Sequence, residues 1–267
     1  RRQRQMCIRD SFRGMTVQPE QIIIGAGTEY LYGLLIQLLG HEAVYAVENP
    51  GYQKIGKIYR NYQVNWTYID MDDEGVEVSQ LEEKKVDIVH ISPSHHYPTG
   101  IVMPISRRYE LLGWASKGEG RYIIEDDYDS ELRLGGKPIP TLQSIDISEK
   151  VIYMNTFTKT LASTVRISYM ILPRPLLEQF YQKLSFYSCT VSNFEQYTLD
   201  LFIKEGYFEK HINRLRNYYQ NKKNGFLSAI WDSGLHKCVE ISGEEAGVHF
   251  LMKLKTEKAE ENVIELA

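Results

Sequence analysis

A lysine that follows a short apolar run and sits among hydroxyls is a candidate nucleophile. Thr156-Phe157-Thr158-Lys159-Thr160-Leu161 has that form, with Arg166 just downstream. A lysine amine pressed among apolar groups and near other cations has a depressed pKa and attacks aldehydes readily. The planar fork of Arg166 suits a phosphate dianion, and Thr156 and Thr158 add hydroxyls. Read alone, the spacing also fits a surface lysine or a serine-type acyl-enzyme. Nothing else in the chain supports the acyl-enzyme.

A second cluster is acidic. Ile123-Ile124-Glu125-Asp126-Asp127-Tyr128-Asp129 sets carboxylates directly after an apolar strand. Such a run is unfavourable at a buried strand end unless something cationic meets it. A protonated pyridine nitrogen is one partner, with Asp126 keeping it charged and Tyr128 bonding a neighbouring oxygen. Magnesium ligation and solvated loop acids are the alternatives.

Three further loops belong with these. Gly25-Ala26-Gly27-Thr28-Glu29 lies between a strand and a helix, where free N–H groups and the helix dipole suit a phosphate. Alone, such a turn is more often structural. Glu48-Asn49-Pro50-Gly51-Tyr52 offers Tyr52 as a ring that could lie flat on another aromatic, or as an ordinary packed turn residue. Ser92-Pro93-Ser94-His95-His96-Tyr97-Pro98-Thr99-Gly100 is a rigid loop. Its adjacent histidines raise a metal, but neighbours in sequence diverge and no third ligand is evident. The loop is read as the floor of a pocket at the carboxyl ends of the strands, and no metal is expected.

The elements that must position these loops alternate. Strands are expected at Gln21–Ile24, Ala43–Val47, Val64–Ile69, Asp87–Ile91, Tyr122–Glu125, Val151–Asn155 and Ile167–Leu172. Helical periodicity covers Thr28–Leu39, Gly51–Asn61 and Arg107–Lys117. This is the pattern of an α/β fold: a mostly parallel sheet sandwiched by helices. After Pro173 the chain turns helical at Leu176–Phe186, Asn193–Lys204 and Tyr207–Ile230, then returns to a strand at Val248–Leu254. Residues 12–205 are read as a large domain, and 206–267 as a long helix plus the start of an incomplete smaller one. The helix from Tyr207 carries Lys210, His211, Arg214, Arg216, Lys222 and Lys223. A solvated helix face explains them better than DNA contact.

The bulk composition agrees. The 267 residues are 43% hydrophobic and 25% charged, ordinary for a globular domain. A formal charge of −4 argues against a nucleic-acid grip by the chain as a whole. No apolar run approaches the roughly 20 residues needed to span a bilayer. The three cysteines have no zinc spacing and fit a reducing compartment, so a cytoplasmic location is expected. Residues 1–11 resemble a translated sequencing adapter and are read as non-native, with a basic terminal arm as the alternative.

Taken in order, these motifs resemble fold-type I proteins that use pyridoxal 5′-phosphate (PLP). More narrowly they are similar to the aminotransferase-like domain of MocR-type regulators of the GntR superfamily. Ser94 to Gly100, Glu125 to Arg133 and Glu205 to Arg216 carry the narrower likeness, which runs from about Arg13 to the end. The resemblance implies a Schiff base on Lys159, Asp126 at the pyridine nitrogen and Tyr128 at the phenolic oxygen. It implies Tyr52 stacked on the ring, and Gly27, Thr28, Glu29, Thr156, Thr158 and Arg166 around the phosphate. Tyr97 stands where many aminotransferases carry an asparagine. Implied partners are an amine or amino acid, a second copy of the chain, and DNA only through a winged-helix domain not in this sequence. A carboxylate-binding arginine would lie beyond Ala267, so a fragment cut at both ends is expected. The resemblance implies a sensor that captures an amine as an external aldimine; a working aminotransferase is the alternative, and a cofactor-free scaffold is the third reading.

Overall fold

Strands buried on both faces must be apolar on both faces, and the continuous runs noted above follow that rule. The computed structural model describes residues 14–135, 140–243, 247–258, 262 and 264. The reading of residues 1–11 lies outside the described residues. The strands are β1 (Ile22–Gly25), β2 (Val44–Asn49), β3 (Asn65–Asp72), β4 (Gly75–Val76), β5 (Ile88–Ile91), β6 (Tyr122–Asp126), β7 (Val151–Thr156) and β8 (Ser168–Ile171). They form one sheet in the order β1-β8-β7-β6-β5-β2-β3-β4. Strands β3, β2, β5, β6 and β7 run parallel. Only β8, wedged between β1 and β7, and the short β4 run against their neighbours. This is the expected α/β architecture.

Alternate residues of each strand feed opposite cores. Tyr45, Val47, Ile88, Ile124 and Ile152 pack under α1 (Thr28–Leu39), α2 (Gln53–Asn61) and a later helix, Arg174–Leu184. Ala46, Val89, Ile91, Ile123 and Val151 face Leu81 of α3 (Val78–Glu83), Leu111 and Trp114 of α4 (Ile105–Ser116), and Leu142 of α5 (Leu142–Ile145). The Arg174–Leu184 helix is α6; α7 (Asn193–Lys204) and α8 (Tyr207–Asp232) cover the β1–β8 end through Leu199, Ile203, Phe208 and Ile212.

Several boundaries differ from the periodicity. Residues Pro19–Gln21 form a 3-10 turn tied by Gln18 N–H to Gln21 Oε1 at 2.9 Å, which delays β1 by one residue. Helix α2 begins at Gln53 because Tyr52 is extended. The last strand, β10, is only Leu251–Leu254, because its ladder to β9 (Val239–Ser242) begins at Leu251 opposite Ser242. Helix α8 is not merely a solvated face. Its Phe208 and Ile212 are buried, His211 Nε2 lies 2.9 Å from the Thr160 carbonyl, and Arg216 Nε donates to the Glu131 carbonyl at 2.7 Å. Among the described residues, no helix is long and apolar enough to cross a membrane.

Candidate functional site

The parallel strands end on one edge, and the loops leaving them enclose a cavity of about 340 Å³. Thr28, Glu29, Tyr52, Tyr97, Asp126 and Tyr128 line it, as do Thr156, Thr158, Lys159 and Arg166. Gly27 stands directly behind. Eleven residues picked from five separate stretches of sequence therefore meet at one place.

The turn between β1 and α1 needs its glycine. Gly27 has φ 95° and ψ 160°, a region open essentially to glycine alone. A Cβ there would lie 2.5 Å from Arg166 Nη2 and 2.9 Å from Glu29 Oε2. Arg166 donates to Glu29 Oε2 at 2.6 Å, while Lys54 of α2 binds the other oxygen of the same carboxylate. Partial burial pushes the Glu29 carboxyl up, but the bonds from Lys54 and its own backbone and the charge of Arg166 outweigh it, leaving the group below its usual range. The result is two cations around one carboxylate at the start of a helix. Excess positive charge of this kind attracts a further anion.

Strand β6 delivers the acids. Glu125, Asp126, Asp127 and Asp129 are 0–7% exposed, so the solvated-loop reading is overturned. Strand alternation sends Glu125 and Asp126 to opposite faces, and Asp127 and Asp129, just past the strand end, have partners of their own. Glu125 accepts the Leu142 and Gln143 N–H groups at the start of α5 and lies 3.7 Å from Arg108. Burial lifts its pKa to about 7 against the pull of Arg108. Asp127 accepts the Tyr153 hydroxyl at 2.7 Å, and Asp129 lies 2.7 Å from His95 Nδ1. Asp126 is different. Its Oδ2 accepts the Tyr32 hydroxyl at 2.6 Å, while its buried Oδ1 has no partner. The Tyr128 hydroxyl is also buried without a partner. Burial and then the surrounding acids push that phenol far up, so it stays a donor. One acceptor and one donor in the same cavity are thus left open to a ligand.

The remaining wall comes from the β7 end. The Thr158 hydroxyl lies 3.0 Å from that of Thr156 and donates to the Val165 carbonyl at 3.1 Å. Lys159 lines the cavity but is exposed, not pressed among apolar groups as the sequence implied. The turn that follows β7 buries Phe157 and Thr160 and so turns Lys159 to the open side. Tyr52 and Tyr97 stand edge to face at the rim, ring centroids 6.0 Å apart.

Sequence reasoning missed several residues. Tyr32 lies one helical turn beyond Thr28, so the helix period could have found it. Lys54 and Ser92 also line the cavity, and His90 lies behind Asp126 with Nε2 3.6 Å from Oδ2. Glu48 is pushed up to about 8, chiefly by burial, with the Ser92 N–H pulling down and the charge of Asp126 adding to the rise. His96 is pushed down to about 4 by burial and then by His249 and His95. Asp129 and His249 join His95 in a group whose ligand atoms lie within 4.8 Å. The fold thus brings to His95 two further ligand types that the sequence spacing did not show, and the His95 and His249 rings lie 4.0 Å apart, tilted by 31°.

Residues 7–267 match the family described as aminotransferase class I and II. Over 255 residues the chain is 42% identical to the uncharacterized HTH-type transcriptional regulator YdeL of Bacillus subtilis, covering 96% of this chain and 55% of that protein. It is 30% identical to the probable rhizopine catabolism regulatory protein MocR of Rhizobium meliloti over 94% of this chain and 51% of that one. The chain spans about half the length of these curated relatives. Among solved structures, kynurenine aminotransferase from Pyrococcus horikoshii, crystallised with PMP, superimposes with a TM-score of 0.82 at 27% identity. That match covers 99% of this chain and 67% of the other.

Proposed function

The chain belongs to the aminotransferase class I and II family, and from that premise we propose that it is the PLP-binding, amine-sensing part of a MocR-type transcriptional regulator. One observation carries the proposal. The cavity that holds Lys159 also holds a buried carboxylate oxygen on Asp126 and a buried hydroxyl on Tyr128, neither with a protein partner. The two are of the types that a protonated ring nitrogen and an adjacent ring oxygen require.

In this reading Asp126 would hold the pyridine nitrogen through Oδ1, while Tyr32 keeps Oδ2 occupied and the carboxylate oriented. Tyr128, held protonated, donates to the phenolic oxygen. Tyr52 covers the ring face. Gly27 gives backbone access to the phosphate, Thr28, Thr156 and Thr158 give hydroxyls, and Arg166 with Lys54 gives charge. Glu29 steers those two cations. Bound PLP supplies an aldehyde carbon and an electron-withdrawing ring, the chemistry needed to capture an amine. Lys159 would be the residue that holds that aldehyde, and its exposed position leaves its amine open to the cavity.

The regulator reading rests on the likeness to YdeL and MocR. DNA contact would belong to the portion of such proteins that this chain does not cover. Occupancy would pass through α8 and residues 206–267, the smaller unit, to that portion. A homodimer is part of the proposal; the exposed Phe186, Phe194 and Leu201 give an apolar surface for it. The likeness to the Pyrococcus enzyme favours a second reading, a working aminotransferase on an amino acid and a 2-oxo acid.

The test is direct. Protein mixed with PLP should gain a visible absorbance band, and borohydride should then fix the cofactor on Lys159, located by peptide mass. Lys159→Ala should lose both. Label elsewhere, or unchanged binding by the variant, would defeat the proposal. Candidate amino acids then separate the readings: rapid conversion of the aldehyde cofactor to its amine form marks an enzyme, whereas spectral change without conversion marks a sensor.

A further inference from the structure

Behind Asp126 lies a chain of buried polar groups that the site as described does not use. Asp126 and His90 stand on neighbouring parallel strands. The register pairs His90 with Ile124, so His90 and Asp126, two residues on, share one face of the sheet. His90 is 2% exposed and presents Nε2 3.6 Å from Asp126 Oδ2. Its other nitrogen, Nδ1, lies 2.9 Å from the hydroxyl of Tyr59 on α2. Tyr59 is 1% exposed. Burial, then the nearby Tyr45 and Asp126, hold that phenol far above its ordinary pKa, so it keeps its proton.

The Tyr59 contact favours one tautomer of a neutral His90. A buried O–H with no acceptor is costly, and His90 Nδ1 is the acceptor within reach. If Tyr59 donates to Nδ1, the proton of a neutral imidazole must sit on Nε2, the nitrogen that faces Asp126. The Tyr32 ring meets the His90 ring edge-on at 5.1 Å and braces the same assembly.

We propose that Tyr59 and His90 form a buried positioning relay that turns an N–H toward Asp126 Oδ2, and so reserves Oδ1 for the ring nitrogen of the bound cofactor. The inference rests on the PLP reading above. His90 does not touch the cofactor; it acts through Asp126. Tyr32 donates to Oδ2 at 2.6 Å and His90 Nε2 faces the same oxygen from 3.6 Å, so both stand on the inner side of the carboxylate and Oδ1 is left open. A side chain that only fills space at position 90 would support cofactor binding generally. The relay supports one atom of it.

That distinction sets the experiment. Binding of PLP is compared, by titration of the full chain, with binding of a PLP analogue carrying CH in place of the ring nitrogen. The readout is the ratio of the two dissociation constants. The unaltered chain should prefer PLP, and Asp126→Asn should abolish the preference. His90→Phe should shrink the ratio roughly three- to tenfold, less than a full hydrogen bond to a charged group because the His90–Asp126 contact is 3.6 Å long, with analogue affinity unchanged. Tyr59→Phe, which keeps the ring and frees the tautomer, should shrink it less. His90→Gln, which retains an N–H donor, should recover part of the loss. An unchanged ratio in both His90→Phe and Tyr59→Phe, or equal weakening of both ligands, would overturn the relay while leaving the PLP reading intact. Absence of any PLP binding by the unaltered chain would overturn both.

Discussion

Substituting Gly27 by alanine tests the site through two separable effects. The first is backbone strain. At φ 95° and ψ 160° a non-glycine residue costs about 1–3 kcal/mol. The second is displacement, because the new Cβ would meet Arg166 Nη2 at 2.5 Å, about 1 Å inside ordinary contact. Arg166 would have to move off the anion position, losing a charged hydrogen bond worth about 1.5–3 kcal/mol, or roughly 10- to 150-fold in PLP affinity. Gly40 supplies the control. It has φ 101° and ψ 152°, nearly the same backbone, but a Cβ there meets nothing within 4 Å. Thermal unfolding of the ligand-free variants should show similar losses for Gly27→Ala and Gly40→Ala. At about 2–4 °C per kcal/mol for a domain of this size, each should fall by roughly 2–12 °C. Titration with PLP should then separate them, with Gly27→Ala weakened by the stated factor and Gly40→Ala unchanged. Equal affinities for the two variants would refute the reasoning that Gly27 protects an anion site.

Two further predictions concern stability. Glu48 is raised in the fold from 4.5 to about 8, so its stabilising contribution is complete below pH 4.5 and fades as pH climbs through 8. Glu125, raised to about 7, behaves alike, whereas the depressed His96 opposes both only between about 4 and 6.5. Urea unfolding should therefore show falling stability from pH 6.5 to 8, and Glu48→Gln should flatten that slope; an identical slope in the variant would exclude Glu48 as its source. Arg108 is fully buried and donates to the carbonyls of Met103, Pro140 and Pro93 at 2.8–3.1 Å, with Glu125 3.7 Å away. Arg108→Ala removes three buried hydrogen bonds and the countercharge of Glu125 and should cost about 3–5 kcal/mol in urea unfolding; a loss under 1 kcal/mol would show that water replaces the guanidinium.

Much of the site was readable because its signals are local. A strand followed by Gly-x-Gly and a helical period, or a strand followed by Thr-x-Thr-Lys, is a statement about neighbours in the chain. The start of α1 at Thr28 and its end at Leu39 needed nothing more than periodicity and the glycine on either side. The short pieces were less visible. Strands β4 and β9 and helices α3 and α5 are two to six residues long, too short for a period to declare itself.

The sequence by itself determined the alternation of strands and helices, the parallel sheet that alternation requires, and the loops at its carboxyl edge. It also placed a lysine, an acidic run and an arginine on those loops. Tertiary structure decided which acid faces the cavity. Glu125, Asp126, Asp127 and Asp129 are near neighbours in sequence, yet one meets a helix start, one a tyrosine and one a histidine, and Asp126 alone keeps an open oxygen. It also brought in Lys54, Tyr32 and His90, and turned Lys159 outward. The physical reason is that periodicity fixes which face of its own element a side chain occupies. Its partner is fixed by the ladder register between strands and by how the helices dock, and neither is written in the spacing of residues along the chain.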